Sequence, residues 1–361
     1  MKKLTLIGPY PPPIGGVSIY IKRLKELLDD NGFYCEVYNE GNYEDKSNNI
    51  YTIKNYKSLI LKFNKLKGDI IHFNCMGRNV RSILWLLKVF YRNKKMVLTI
   101  HGSSLKDQLE ESNKLIKYFM IKSLKSMDKI IVVNKFYKEL LVEYGIKLEK
   151  IKFMSSFIKP INNKKCNIDI PKDVSTFLNV KNFKLVTNGC VTFYNNKDLY
   201  GFDNLIEAVS ELRKKNIDIS LLIAVLSSNN QTKEESDYYL SLKSRVNDMG
   251  LGEKILFYDV DNTEFYPLLE KSDLFIRATN TDGDHPISLK EALALGKPSI
   301  ASDVSIRPKT CIIYESRNVK SLIEKIEFVI NNYNIIEEKI KNIEIRDASN
   351  EIISLYESLL D

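Results

Sequence analysis

Several patterns that would assign a protein class at once are missing from this sequence of 361 residues. Its five cysteines form no CxxC pair, and it has no Walker motif and no GxGxxG dinucleotide motif. No apolar run approaches the roughly 18 residues that cross a bilayer, and the start at Met1 lacks a signal-peptide pattern. We therefore expect buried free thiols, a reducing cytoplasm, and neither a P-loop enzyme nor a nicotinamide oxidoreductase.

Charge and length favour a folded protein of two domains with an anionic partner. Lys and Arg number 54 against 46 Asp and Glu, and the net charge of +8 suits nucleotide diphosphates, lipid phosphates or an acidic membrane face. This excess is too small to require nucleic acid, and no nucleic-acid-binding signature is present. A chain of 361 residues exceeds what one compact core usually holds, so we expect two domains.

Short apolar strands alternate with helical patterns twice, on either side of a polar segment at about 156–182 that we interpret as a linker. Alternation of this kind predicts parallel sheets with helices on both faces. The predicted fold class is α/β, with a Rossmann-like doubly wound domain over 1–165 and a second over 166–345 that face each other across a cleft. A C-terminal helix over 346–361 is expected to pack back on the first domain. Ligands of such sheets bind at loops after strands.

Two loops of the first domain carry candidate binding residues. The loop after the first strand contains Gly15 and Gly16 at a helix start, where the backbone can approach a ligand and free N–H groups attract anions. A plain strand-to-helix turn explains these glycines equally well. His101 ends a later strand beside Gly102, and it is either a group that hydrogen-bonds a ligand or carries a proton, or a satisfied loop histidine.

The most informative segment begins where a strand of the second domain ends at Arg277. A loop with two carboxylates, Asp282 and Asp284, follows, and a helix begins near Ser288. The loop is either an ordinary Asp-Gly turn or a site for a ligand, and its carboxylate pair could also hold a hard cation.

The start of that helix is a candidate phosphate site. Free amides around Ile287 and Ser288 can hold a diphosphate, while Arg277 and Lys290 offset its charge. Glu291 lies about one turn further and suits a ribose diol. Ser288 and Glu291 also have the spacing of a capping box, which needs no ligand.

These three loops, in this order, resemble the retaining family-4 glycosyltransferases of the GT-B fold, over nearly the whole chain. That family has two glutamates in the pattern E-x7-E, followed by alanine, glycine and proline. The run from Glu291 through Gly296 to Pro298 matches the second half closely. The resemblance implies that Gly15 and Gly16 face the donor diphosphate and His101 the transferred sugar. It further implies that Glu291 binds the nucleotide ribose, with the phosphates on the amides near Ile287 and Ser288.

The sequence departs from the family at the first glutamate. The position eight before Glu291 is Gly283, so Asp282 or Asp284 must serve instead. Both are therefore candidate catalytic residues alongside His101.

The two cations that grip the diphosphate in the family are also missing. Gly-Arg after the first strand of the second domain is replaced by Gly189-Cys190, and Lys-Gly at the next helix by Tyr200-Gly201. Substitutes are Lys197, Arg277 or Lys290.

The resemblance implies a metal-independent hexosyltransferase that moves a sugar, with retained configuration, from a nucleotide-diphosphate sugar such as a UDP sugar to an acceptor hydroxyl. No cofactor is expected beyond this co-substrate. The acceptor would be a lipid-linked or growing glycan of bacterial surface polysaccharide. A non-catalytic GT-B scaffold of a glycan-assembly complex and a sugar-nucleotide epimerase on the same fold remain alternatives.

A strip of basic and apolar residues on two predicted helices suggests peripheral contact with an anionic membrane, at the inner face of the plasma membrane. Two amphipathic helices with solvated lysines explain it as well. The strip consists of Arg81, Trp85, Leu86, Lys88, Val89, Phe90, Arg92, Lys94, Lys95, Lys114, Lys117, Phe119, Lys122 and Lys125.

Overall fold

The computed structural model describes residues 2–53, 55, 60, 63–74, 77–102, 104–160, 170–260, 264–283, 286–343 and 345–361. The chain divides into two compact units. The first contains Met1–Asn163 and Arg346–Asp361, and the second contains Lys164–Ile345. Within the described ranges, no helix is long and apolar enough to cross a membrane.

The first unit is built on a seven-stranded sheet in which every neighbouring pair is parallel, in the order β3-β2-β1-β4-β5-β6-β7. Central strands such as β4 are buried along their whole length, as expected where helices cover both faces. The strands are β1 Lys3–Gly8, β2 Tyr34–Asn39, β3 Ile50–Thr52, β4 Ile70–Phe73, β5 Lys95–Ile100, β6 Lys129–Val132 and β7 Ile151–Phe153.

The helices of the first unit connect these strands. They are α1 Gly16–Asp30, α2 Arg78–Phe90, α3 Ser104–Glu111, α4 Lys114–Ser126 and α5 Phe136–Glu143. The last helix of the chain, α13 Ser349–Leu360, also belongs to this unit and contacts α1 and β4. Its buried residues include Ile352 and Tyr356.

The second unit repeats this architecture with a six-stranded parallel sheet in the order β12-β11-β8-β13-β14-β15. The strands of this sheet are β8 Phe183–Gly189, β11 Ile219–Leu226, β12 Ile255–Val260, β13 Leu274–Arg277, β14 Ser299–Ser302 and β15 Ile312–Tyr314. A separate antiparallel hairpin is formed by β9 Phe193–Tyr194 and β10 Lys197–Asp198. The helices of the second unit are α6 Lys172–Leu178, α7 Phe202–Lys214, α8 Lys233–Asp248, α9 Tyr266–Glu270, α10 Ile287–Ala294, α11 Val319–Asn331 and α12 Tyr333–Lys341.

One local prediction was wrong. The apolar spacing over 107–126 in the sequence predicts one helix, but the chain forms α3 and α4 with a break at Ser112 and Asn113. The Asn113 side chain accepts a hydrogen bond from the Ile116 N–H at 2.9 Å, so it caps a new helix and does not continue the old one. The segment at about 156–182 that was interpreted as a linker includes the boundary between the two units, and it also forms α6; residues 161–169 lie outside the described residues.

Candidate functional site

Both sheets have their strand order reversed at one place, and doubly wound sheets bind ligands at such a switch point. In the first sheet this place lies between β1 and β4, and in the second it lies between β8 and β13. The loops after β8 and β13 therefore define the candidate site of the second unit. They begin at Cys190 and Ala278.

A buried ion cluster joins the end of β13 to the loop after β14. Asp282 accepts hydrogen bonds from Nε and Nη2 of Arg277 at 2.9 and 3.0 Å, and from Nη1 of Arg307 at 2.9 Å. Arg307 also donates to the carbonyl oxygen of Ser302 at 3.0 Å and to the Thr279 hydroxyl at 3.3 Å. The exposed fractions of the Arg277, Arg307 and Asp282 side chains are 12%, 2% and 9%.

The cluster carries more positive than negative charge. Among the described residues, Asp282 is the one carboxylate in ion-pair contact with Arg277 or Arg307. Burial by itself would raise the pKa of Asp282, but the hydrogen bonds and charges of the two arginines outweigh burial and hold that pKa below its ordinary value. Two guanidinium groups sharing one ionised carboxylate leave a net positive charge at the carboxyl edge of the sheet, which favours an anionic ligand.

This geometry bears on both acidic candidates. The Asp282 oxygens are occupied by the two arginines, so its contacts fit the orientation of Arg277 and Arg307 better than proton transfer. The catalytic assignment of Asp282 stays a prediction. Asp284 lies outside the described residues. Within the described ranges, no group of three acidic, histidine or cysteine side chains is arranged to hold a metal ion.

Tyr200 occupies the place where the family carries its lysine, and it packs beside the cluster. The Arg277 guanidinium carbon lies 5.1 Å from the centre of the Tyr200 ring, a cation–π contact. A Cβ atom at Gly189 would lie 2.1 Å from this ring, so only glycine leaves room for the tyrosine. Gly201 has a φ of +67°, and its added Cβ would lie 2.4 Å from the carbonyl oxygen of Ala278. The two glycines thus bring the loops after β8 and β13 together.

Asp198, which was not among the residues predicted from the sequence, makes hydrogen bonds to residues of both loops. Its carboxylate accepts from the N–H groups of Tyr200 at 2.9 Å and Gly201 at 3.0 Å, and from the Tyr238 hydroxyl at 3.2 Å. Its carbonyl oxygen accepts from the Asn280 amide at 2.6 Å. Burial, then the charge of Asp203, raises the pKa of Asp198 to about 6.

The helix after this loop starts at Ile287, with Pro286 as its N-cap and no capping side chain. Ser288 lies inside the helix, so the alternative of a capping box between Ser288 and Glu291 was wrong. The N–H groups of Leu289 and Lys290 bond to the Pro286 carbonyl. In the described part of the chain, the N–H groups of Ile287 and Ser288 have no hydrogen-bond acceptor. They are available to an anion at the helix start.

Lys290 and Glu291 lie within this first turn and a half of α10. Glu291 is buried, with an exposed fraction of 4%. Lys290 is partly buried, and this burial lowers its pKa to about 8. An anion beside the lysine would restore the charged form that burial disfavours. Lys197, the other candidate cation, lies exposed at the start of β10 in the hairpin.

The glycine-rich loop of the first unit leads from β1 into α1. Gly15 is the N-cap of the helix and is partly buried, while Gly16 is exposed. The Gly15 N–H donates to the Ser18 hydroxyl at 2.9 Å, and this hydroxyl donates to the Pro13 carbonyl at 2.9 Å. The loop is therefore ordered by its own hydrogen bonds, and the Gly16 backbone is accessible to a ligand.

His101 follows β5 and is buried, with an exposed fraction of 5%. Its Nε2 lies 2.9 Å from Oδ1 of Asn74, and the Tyr20 ring meets it edge-on with 5.0 Å between ring centroids. Burial, followed by the charge of Arg81, lowers the pKa of His101 to about 3. The imidazole is therefore neutral near pH 7. It is suited to hydrogen bonding and not to delivering a proton as a cation.

Part of the basic strip is engaged within the first unit. Arg81 is buried and donates to Gln108 at 2.8 Å, and Lys88 pairs with Asp128 at 2.6 Å. The Lys122 ammonium lies 3.6 Å from the centre of the Trp85 ring. The strip is thus smaller than the sequence suggested, with its exposed apolar part at the end of α2.

Two family models match this chain, one on each unit. The model of glycosyltransferase family 4 matches residues 14–160, and that of the glycosyl transferases group 1 matches residues 191–346. The chain belongs to the family-4 type glycosyltransferases of the GT-B fold. The second match contains the ion cluster, Asp198 and helix α10, and the first contains Gly15, Gly16 and His101. No curated protein matches the chain in sequence.

Solved structures share the fold at low sequence identity. A glycosyltransferase from Rickettsia africae is 18% identical with a TM-score of 0.69, covering 100% of this chain and 99% of that chain. Anabaena HepE in complex with UDP-glucose is 15% identical with a TM-score of 0.67, covering 99% of each chain. A Neisseria meningitidis UDP-GlcNAc 2-epimerase bound to UDP-GlcNAc is 16% identical with a TM-score of 0.65, covering 98% and 99%. The fold is thus common to transferases and epimerases.

Proposed function

We propose that this glycosyltransferase takes a sugar from a UDP-type nucleotide sugar and transfers it, with retained configuration, to a hydroxyl of a lipid-linked or growing glycan. The observation that carries the proposal is the positively charged cluster of Arg277, Asp282 and Arg307 close in sequence to the helix start with the available amides of Ile287 and Ser288. Similar structures with bound UDP or UDP sugars support the choice of ligand.

The phosphate charge is met, in this proposal, by Arg277 and Lys290 in place of the missing family cations. Asp282 and the Tyr200 ring hold the Arg277 guanidinium at the end of β13. Lys290 keeps most of its charge at pH 7 with a pKa of about 8, and it gains when a phosphate offsets its burial. Lys197 is exposed on a hairpin and would have to be ordered on binding, which makes it the weaker candidate.

Glu291 and His101 complete the proposed donor contacts. Glu291 binds the nucleotide ribose, because a buried carboxylate near the helix start can accept from both hydroxyls of a diol. His101 hydrogen-bonds a hydroxyl of the transferred sugar as a neutral imidazole. Leaving-group stabilisation by amides and cations supplies the main electrostatic help, and no metal ion is required.

Calorimetric titration with UDP tests this assignment. Lys290→Gln is expected to weaken UDP binding about tenfold, the effect of losing one charge-assisted hydrogen bond. Glu291→Gln should also weaken binding, and the loss of donor affinity should be far larger than the loss of stability. Lys271→Gln and Glu253→Gln, which change exposed residues that precede strands β13 and β12, are matched controls. Wild-type affinity in both site variants would exclude α10 from the donor site.

Product analysis separates transfer from the alternatives. A transferase incubated with radiolabelled donor and no acceptor leaves most of the donor intact, whereas an epimerase converts it. A non-catalytic scaffold binds no UDP at all. A thermal-shift screen of nucleotide sugars should identify the donor by the largest rise in melting temperature.

We also propose that the first unit docks on anionic lipid. Phe90 at the end of α2 is 72% exposed, and Leu115 and Tyr118 on α4 are 65% and 59% exposed. Lysines such as Lys114 lie on the same helix, which suits a negatively charged surface. Phe90→Ser with Tyr118→Ser should reduce sedimentation with phosphatidylglycerol vesicles, whereas Phe328→Ser in the second unit should not. Equal sedimentation of all variants would contradict the docking.

A further inference from the structure

A chain of buried hydroxyl and imidazole groups crosses the first unit from its C-terminal helix. The Tyr356 hydroxyl of α13 lies 2.6 Å from Nδ1 of His72 on β4. Nε2 of the same ring lies 2.7 Å from the Thr99 hydroxyl on β5, and Thr99 is hydrogen-bonded to the Tyr20 hydroxyl of α1. All four side chains are buried, with exposed fractions of 3% or less. Four elements distant in sequence are therefore joined by polar contacts.

The protonation states of His72 and Tyr356 fix the direction of the two hydrogen bonds at the His72 ring. Burial lowers the pKa of His72 to about 3, so its ring is neutral and has one N–H and one lone pair. Burial raises the pKa of Tyr356 well above its ordinary value, so the phenol keeps its proton. Among the described residues, His72 is the one hydrogen-bond partner of the Tyr356 hydroxyl. If this hydroxyl accepted from Nδ1–H, its own buried O–H would have no acceptor, so the hydroxyl donates to Nδ1. Nε2–H then donates to the Thr99 hydroxyl oxygen, which also contacts the Tyr20 hydroxyl.

The far end of the chain meets His101. The Tyr20 ring, whose hydroxyl is held by Thr99, lies against the His101 ring at 5.0 Å with an interplanar angle of 69°. On its other side, Nε2 of His101 contacts Asn74, and the Asn74 amide nitrogen lies 3.5 Å from the His72 carbonyl oxygen. One support of the His101 ring therefore leads back to the His72 side chain through Tyr20 and Thr99, and the other leads to the His72 backbone carbonyl through Asn74.

We propose that Tyr356, His72, Thr99 and Tyr20 are positioning residues that fix the orientation of the His101 ring from the C-terminal helix. The effect on turnover rests on the proposed function, in which His101 contacts the transferred sugar. The effect on the ring itself does not. Removal of the Tyr356 hydroxyl leaves the Nδ1 lone pair of His72 without its donor and leaves a gap beside the ring. The His72 ring can then shift, and its hydrogen bond to Thr99 and the contact of Thr99 with Tyr20 shift with it.

The test is Tyr356→Phe, which removes one oxygen and keeps the ring. We expect the nitrogen resonances of the His72 and His101 rings to move in a 15N-correlated spectrum of the full-length protein. We expect kcat to fall about tenfold, because small displacements of a sugar-contacting group reduce the rate steeply. KM for the donor and UDP affinity should stay near wild type.

Matched variants separate positioning from a general loss of stability. Thr99→Val breaks the chain without changing side-chain shape and should reproduce Tyr356→Phe, whereas Thr99→Ser keeps the hydroxyl and should restore both readouts. Ile352→Val on α13 lowers stability without touching the chain, and Tyr34→Phe removes a hydroxyl that bonds Asn49 elsewhere in the unit. Neither should move the His101 resonances or kcat.

The outcomes distinguish this inference from the proposed function. Unmoved His101 resonances in Tyr356→Phe and Thr99→Val overturn the positioning role, whatever the activity. If the His101 resonances move but kcat is unchanged, the orientation of the ring does not affect turnover, and this part of the proposal is overturned. A wild-type protein that transfers no sugar refutes the proposed function, while the spectra still decide whether Tyr356 controls the His101 ring.

Discussion

Replacing Asp282 with asparagine tests whether this residue holds the arginine cluster together or acts on substrate. Both carboxylate oxygens accept from arginine, so either orientation of the asparagine amide places its NH2 against a guanidinium donor. The three side chains are at most 12% exposed, so solvent screens this loss only weakly. Removing one partner of such a buried pair costs about 3 kcal/mol or more.

Thermal unfolding of the full-length protein measures this cost. For a unit of this size, about 3 kcal/mol corresponds to a fall in melting temperature of roughly 6–12 °C. The matched control is Asp218→Asn, because Asp218 also contacts two basic residues, Arg213 and Lys254, but its side chain is 58% exposed. Its loss should cost less than about 1 kcal/mol.

The pH dependence adds a second readout. The folded-state pKa of Asp282 is depressed, so its stabilisation is present above the unfolded pKa and is lost as pH falls through the folded value. Wild type should therefore lose stability in acid through this group, and Asp282→Asn should lack that component. An Asp282→Asn protein with wild-type melting temperature and no turnover would refute the cluster role and favour the catalytic one.

Three further predictions concern the loops and His101. His101→Gln should lower transfer about tenfold or more through the lost contact with the sugar, with UDP affinity unchanged in calorimetry; an unaltered rate would remove His101 from the site. Gly201→Ala should lower the free energy of unfolding by at least about 2 kcal/mol, because strain at φ +67° adds to a clash with Ala278. Gly250 has the same φ and open space around it, so Gly250→Ala should cost about 1 kcal/mol. Equal costs in denaturant unfolding would show that the close approach of Gly201 to Ala278 is unimportant. The raised pKa of Asp198 means that the folded state binds this proton more tightly than the unfolded state. The contribution of Asp198 to wild-type stability should therefore fall as the pH rises from 3.8 to about 6, and a fall of similar size in Asp198→Asn would contradict the assignment.

The fold class was confirmed, because long buried strands and amphipathic helices leave clear periodic signals. The apolar run at 70–73 in the sequence predicts a strand, and the structure has β4 at Ile70–Phe73. Strands β3, β7 and β15 have three residues each and cannot be predicted from the sequence pattern, because so short a run shows no alternation. The break at Asn113 was missed because helical spacing continues on both sides of it. The sequence alone does not show whether this asparagine lies inside one helix or caps the start of a second.

The site was harder to predict, since side-chain pairing is set by tertiary contacts. The motif around Glu291 directed attention to the correct loop, but the spacing could not show that Ser288 lies inside the helix. Arg307 is 25 residues from its partner Asp282 and was overlooked. Its position in the loop after β14 was the available signal, because loops after parallel strands carry function in such sheets.

A crystal structure with UDP bound decides whether the start of α10 is the phosphate site. We expect the diphosphate to accept hydrogen bonds from the Ile287 and Ser288 amides, with Arg277 or Lys290 beside it and the ribose on Glu291. A diphosphate bound away from the carboxyl edge of the second sheet, with these groups unchanged, would rule out this site.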